Sequence, residues 1–77
     1  MLSSVKVGSK IKDLREGKGL TQEQLAGKVY VTRQAISSWE KGQSFPDIDN
    51  VVSLCEIFNV SLEELLCLEK RGENKWV

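Results

Sequence analysis

Residues 32–42 read TRQAISSWEKG, and their side chains fall into two chemical sets. Arg33, Gln34, Ser37 and Ser38 carry a guanidinium, an amide and two hydroxyls, groups that donate and accept hydrogen bonds at fixed geometry. Ala35, Ile36 and Trp39 are apolar and recur at helical spacing. A surface helix serving only solubility would place Glu and Lys pairs on its outer face, because they solvate well and favour helix. A polar face of this composition is suited to reading hydrogen-bonding edges instead.

Few other residues offer chemistry. The chain has no His, so no Ser or Cys has an imidazole base beside it and no zinc site can be completed around Cys55 and Cys67. A Gly-rich phosphate loop is also absent from the sequence, and together these features argue against an enzyme. Each cysteine lies among apolar residues (SLCEIF and ELLCLE), which predicts two small buried hydrophobes rather than a redox pair or metal ligands. No metal or other cofactor is expected.

The elements that must position the polar set follow from bulk properties and periodicity. The 77 residues, 40% hydrophobic and 29% charged with one proline, suit one small domain. No apolar run is long enough for a membrane span, and MLSSVKVGSK lacks the apolar stretch of a signal peptide, so the expected location is cytoplasmic. Net charge is zero but unevenly spread. Residues 1–43 hold eight Lys or Arg against four acids, whereas residues 44–77 hold three against seven. Such asymmetry points to one polyanion-facing side.

Apolar spacing is helical throughout: Val7, Ile11 and Leu14; Leu25, Ala26 and Val29; Ile48, Val51, Val52 and Cys55. Five helices are predicted at 5–17, 21–28, 32–41, 47–58 and 61–68, giving an all-α domain over 1–68 and a C-terminal tail over 69–77. Thr21 with Gln24, and Ser61 with Glu64, have the spacing of capping boxes, while Thr32 is a simpler N-cap. Gly17 and Gly19 end the first helix, Gly42 closes the third, and Pro46 with Asp47 opens the fourth. Only Val29, Tyr30 and Val31 separate the second helix from the Thr32 cap. A connection this short forces a steep crossing, the helix-turn-helix geometry. Trp76 in the tail reads either as a packing anchor for a partner or as an ordinary end residue.

With these residues assembled, the segment TQEQLAGKVYVTRQAISSWEKGQSFPDIDNVVSLCEIFNVSLEELL closely resembles the Cro/repressor-type (Xre-like) helix-turn-helix family, over about Val7 to Leu66. The resemblance implies a compact five-helix, lambda-repressor-like DNA-binding domain that acts as a dimer on a palindromic double-stranded operator. Its third helix would enter the major groove while the second lies across the backbone. By position, it implies that Arg33, Gln34, Ser37 and Ser38 face base edges. Thr21, Gln22, Thr32, Lys41, Gln43 and Ser44 would meet the DNA backbone, and Arg15 and Glu40 would form a partly buried ion pair between the first and third helices. Two positions depart from the family pattern. Tyr30 stands where Gly or Asn is frequent, implying a left-handed residue strained by about 1 kcal/mol. Ser38 is shorter than the side chain frequent at its position.

The chemistry of the residues agrees with the transfer. Arg pairs bidentately with guanine O6 and N7, and Gln with adenine N6 and N7. The function expected is therefore sequence-specific DNA binding by a transcriptional regulator, a repressor by analogy. A protein-interaction module on the same fold, antirepressor or antitoxin-like, is the alternative, supported by the zero net charge and the Trp76 tail. The second copy is expected to dock through the acidic half, by the fifth helix and the tail, because Leu62, Leu65, Leu66 and Leu68 exceed what one short helix can bury.

Overall fold

The computed structural model describes residues 2–68, which form five helices and, among the described residues, no strand. They are α1 (Ser4–Gly17), α2 (Gln22–Val29), α3 (Arg33–Glu40), α4 (Ile48–Phe58) and α5 (Leu62–Leu66). Trp76 and the tail 69–77 lie outside the described residues.

The helix starts are set by hydroxyls. Ser3 accepts from the Lys6 amide at 3.2 Å, Thr21 from Gln24 at 3.0 Å, Thr32 from Ala35 at 3.1 Å and Ser61 from Glu64 at 3.1 Å. The Thr21 capping box closes, with the Gln24 side chain accepting from the Thr21 amide at 2.8 Å. The predicted box at Ser61 is only half made. Glu64 does not return to the Ser61 amide, and its carboxylate lies 3.7 Å from Lys10 Nζ on α1. Asp47 occupies the N-cap position of α4 without a side-chain cap bond.

All five helix ends close in the same way. The left-handed residue is Gly19, Tyr30, Gly42, Asn59 or Cys67, and the amide that follows it donates back to the final turn. These bonds run from Leu20 to Arg15, Val31 to Ala26, Gln43 to Ser38, Val60 to Cys55 and Leu68 to Glu63. They satisfy carbonyls that the helix itself leaves unpaired. Tyr30 adopts φ 62° and ψ 44° with its side chain 93% exposed, so packing does not repay the left-handed strain. Cys67, also left-handed, stops α5 two residues short of its predicted end and is exposed, contrary to the expectation of a buried hydrophobe. Cys55 is half-buried, and burial, with Glu56 nearby, pushes its thiol pKa up.

One core joins all five helices: Val7 and Ile11 from α1, Leu25, Ala26 and Val29 from α2, Ile36 and Trp39 from α3, Val51, Leu54 and Phe58 from α4, and Leu65 from α5. On α4 the buried stripe differs from the predicted one, because Ile48 is 65% and Val52 48% exposed. This helix carries two apolar stripes at helical spacing, 48–52–55 and 51–54–58, and its contacts with α2 and α5 select the second. Of the leucines in and just after α5, Leu65 is buried and Leu66 packs on the core, while Leu62 and Leu68 are exposed.

The tightest approach is between α1 and α3. A Cβ at Gly8 would lie 2.1 Å from the Trp39 carbonyl oxygen, so only glycine admits this crossing. Gly27, in the middle of α2, has open space around it. The same substitution therefore has opposite outcomes at the two sites. Gly27→Ala is expected to raise stability in urea by about 0.5–1 kcal/mol through helix propensity. Gly8→Ala is expected to lower it by about 3 kcal/mol or more, because backbone must move to admit the methyl. Equal effects at both positions would contradict the close α1–α3 contact.

Candidate nucleic-acid interface

The helix-turn-helix is built by α2, Tyr30, Val31, the Thr32 cap and α3. At about 100° per residue, Ile36 and Trp39 define the inward side of α3. Gln34, Ser37, Ser38 and Lys41 lie opposite them, and Arg33 lies at the rim, on the side of Glu40. Arg33, Gln34 and Lys41 are exposed, whereas Ser37, Ser38 and Ala35 are half-buried. Eight residues make α3 about 12 Å long, and a major groove about 12 Å wide admits one helix.

The flanking residues sit at the ends of this face. Thr32 caps α3, and Thr21 caps α2 with the Gln22 side chain next to it, half-buried. Gln43 and Ser44 are exposed in the loop that follows α3. Ser38 Oγ and Ser44 Oγ lie 2.8 Å apart, one hydroxyl donating to the other, which ties this loop to the far end of α3. Gly42, at φ 75°, turns the chain there with its Cα against Val5, and Ser4 Oγ donates to its carbonyl at 3.1 Å. The start of α1 thus fixes where the loop leaves α3.

Beneath this face lies a network of charges. Arg15 Nε donates to Glu40 Oε2 at 2.6 Å and Nη2 donates to Oε1 at 3.1 Å, a bidentate pair with side chains 10% and 4% exposed. Arg15 Nη1 also donates to the Leu20 carbonyl at 2.8 Å. Hydrogen bonding to Glu40 raises the Arg15 pKa above its ordinary value, outweighing desolvation, so the guanidinium stays charged. Gln22 Nε2 donates to Glu40 Oε1 at 3.0 Å. Neither the Gln22–Glu40 bond nor the Gly8 contact is visible in the sequence pattern, since each joins residues far apart in the chain. An unforced glycine inside an apolar helical repeat was the one available signal for Gly8.

These features define a helix-turn-helix protein with an exposed polar third helix. The chain belongs to the helix-turn-helix family HTH_3, whose model matches residues 11–65. It is 46% identical to the HTH-type transcriptional activator BcrR of Enterococcus faecalis over 61 residues, which cover 79% of this chain and 30% of that protein. Solved structures share the fold, two of them at 30% identity or more. The restriction-modification controller protein C.AhdI from Aeromonas hydrophila is 32% identical, with a TM-score of 0.74 over 80% of this chain and 94% of its own. The P22 c2 repressor in complex with a synthetic operator is 30% identical, with a TM-score of 0.75 over 78% of this chain and 91% of its own.

Because Arg15 and Glu40 are nearly buried, truncating either one removes the other's bidentate partner, and Arg15 is left with only the looser Glu16 ion pair at 3.8 Å. Arg15→Ala and Glu40→Ala are each expected to cost about 3 kcal/mol in urea unfolding, and the two losses are not additive in the double variant. Additive losses would contradict the pairing.

Proposed function

We propose that the protein is a sequence-specific double-stranded DNA-binding transcriptional regulator that reads the major groove with α3. The observation that carries this reading is the division of α3 into a buried Ile36–Trp39 side and an opposite face of Gln34, Ser37, Ser38 and Lys41, rimmed by Arg33. Arg33, Gln34, Ser37 and Ser38 meet base edges. Thr21, Gln22, Thr32, Lys41, Gln43 and Ser44 meet phosphates and sugars, which set register without reading sequence. Residues 1–68 are the DNA-binding unit, and it works where the DNA is, in the cytoplasm. Regulation is by occupancy, hence repression, because occupancy requires only this face. The protein is not an enzyme.

The operator is palindromic and is bound by a homodimer. One α3 reads one half-site, and two half-sites about one DNA turn apart require a second copy. The surface supporting this contact is the groove between α4 and α5, where Val52, Cys55, Val60 and Leu62 line it together with the polar Glu56 and Asn59, and Ile48 and Leu68 are also exposed. It includes the fifth helix as expected, but α4 supplies much of it. The tail, expected to contribute as well, lies outside the described residues.

These assignments separate in titrations against a duplex selected from a random pool and against mixed-sequence duplex. Arg33→Ala and Gln34→Ala should each lose about 1–3 kcal/mol on the selected site and little on mixed sequence. Lys41→Ala should weaken both alike and flatten the salt dependence. With about four phosphates neutralised per half-site, the slope of log K against log salt is about −3.6 per half-site, less about 0.9 for Lys41→Ala. The selected complex should hold two chains per duplex, and Val52→Glu should reduce it to one. Equal losses on both duplexes for Arg33→Ala, or a slope near zero, would contradict the reading.

A further inference from the structure

Glu40 is an acid on the helix assigned to DNA, close to where phosphates would lie, and its setting is specific. Its two carboxylate oxygens accept three N–H donors: Oε2 from Arg15 Nε, and Oε1 from Arg15 Nη2 and Gln22 Nε2. Arg15 alone accounts for the ion pair. The third bond reaches from the last residue of α3 to the first residue of α2, whose amide nitrogen carries two hydrogens. One hydrogen goes to Glu40, which leaves the second free while the side-chain torsions are already fixed.

We propose that Glu40 is a positioning residue for DNA binding: it holds the Gln22 amide at the start of α2 so that its second N–H is presented to a backbone phosphate. The inference rests on the reading above that this end of α2 meets the backbone. A free glutamine side chain loses about 1.5–2 kcal/mol of rotamer freedom when it is immobilised. Glu40 removes most of that cost before DNA arrives. Arg15 makes the arrangement compatible with a polyanion, since it neutralises Glu40 and the network presents an uncharged donor outward. Only a carboxylate fits. A carboxamide at position 40 sets its own NH2 against an Arg15 N–H in either orientation, and in one of them against the Gln22 N–H as well, where only acceptors are wanted.

The proposal predicts a sign opposite to that of simple electrostatics. Glu40→Gln removes a negative charge from a DNA-facing region, which by long-range attraction alone would tighten binding. Positioning predicts that it weakens binding. The test is fluorescence anisotropy of the full chain on a mixed-sequence duplex at low salt, with thermal unfolding of each variant to establish that it is folded at the assay temperature. Gln22→Met, which keeps the shape but has no N–H, is expected to bind about tenfold more weakly, and Glu40→Gln about three- to tenfold more weakly. In the Gln22→Met background, Glu40→Gln should cause no further loss.

A second variant guards against misfolding. Arg15→Met with Glu40→Leu replaces the buried pair by apolar groups, a change often tolerated, and leaves the net charge unaltered. It should show the same loss as Gln22→Met, again with no further loss when the two are combined. Tighter or unchanged binding by a folded Glu40→Gln protein overturns the proposal, as does a loss that is equally large with and without the Gln22 donor. Wild-type affinity for Gln22→Met overturns the underlying phosphate contact, and the proposal with it.

Discussion

An eight-residue helix does not persist alone in water, because nucleation fixes several residues before propagation returns a comparable gain. The α3 helix is eight residues long, and its outer face is occupied by Arg, Gln and Ser rather than by pairs that reinforce helix. Its stability must come from what it packs against, chiefly α1. Gly8 lets the α1 backbone lie directly on the Trp39 carbonyl, and seven residues on, Arg15 takes the Glu40 carboxylate in a bidentate grip. Two contacts on one face of α1 therefore fix both the depth and the rotation of α3. The placement of Gln34, Ser37 and Ser38 on its outer side follows from that rotation.

The same docking organises the neighbouring segments. Arg15 also holds the Leu20 carbonyl, which ends the loop into α2, and the start of α1 holds the Gly42 carbonyl, where the chain leaves α3. The entry to α2 and the exit from α3 are thus both referred to α1. Charge follows the same division, with the basic excess on residues 1–43, which contain α1 to α3, and the acidic excess beyond. The basic excess and the exposed groove between α4 and α5 thus fall in different parts of the chain. An excess of four positive charges also explains how a chain of zero net charge suits a nucleic-acid partner.

Much of this was legible in the sequence because the signals are local. Helix starts at Thr21, Thr32 and Ser61 are set by one hydroxyl and an amide three residues on, and the inward side of α3 by the spacing of Ile36 and Trp39. The Arg15–Glu40 pair was legible only through the family resemblance, since nothing local links residues 25 apart. What could not be read is what depends on tertiary choice. On α4, two apolar stripes compete and only packing against α2 and α5 decides that Ile48 and Val52 stay outside. Glu64 completes the spacing of a capping box, yet lies beside Lys10 instead. Cys67 ends α5 in a left-handed turn that a cysteine does not advertise, whereas Asn59, a residue tolerant of that conformation, was a signal available at the end of α4.

The polar side of α3, held in place by α1, is the surface proposed to enter the major groove. Relaxation enhancement in amide spectra of the protein, bound to a duplex carrying a nitroxide at a thymine C5 position, measures proximity to that groove directly. Amides 33–38 are expected to be broadened most, those of Thr21 and Gln22 less, and those of Val52, Cys55 and Glu56 on α4 least. Strongest broadening on α4 or α5, with the α3 amides intact, would contradict that placement.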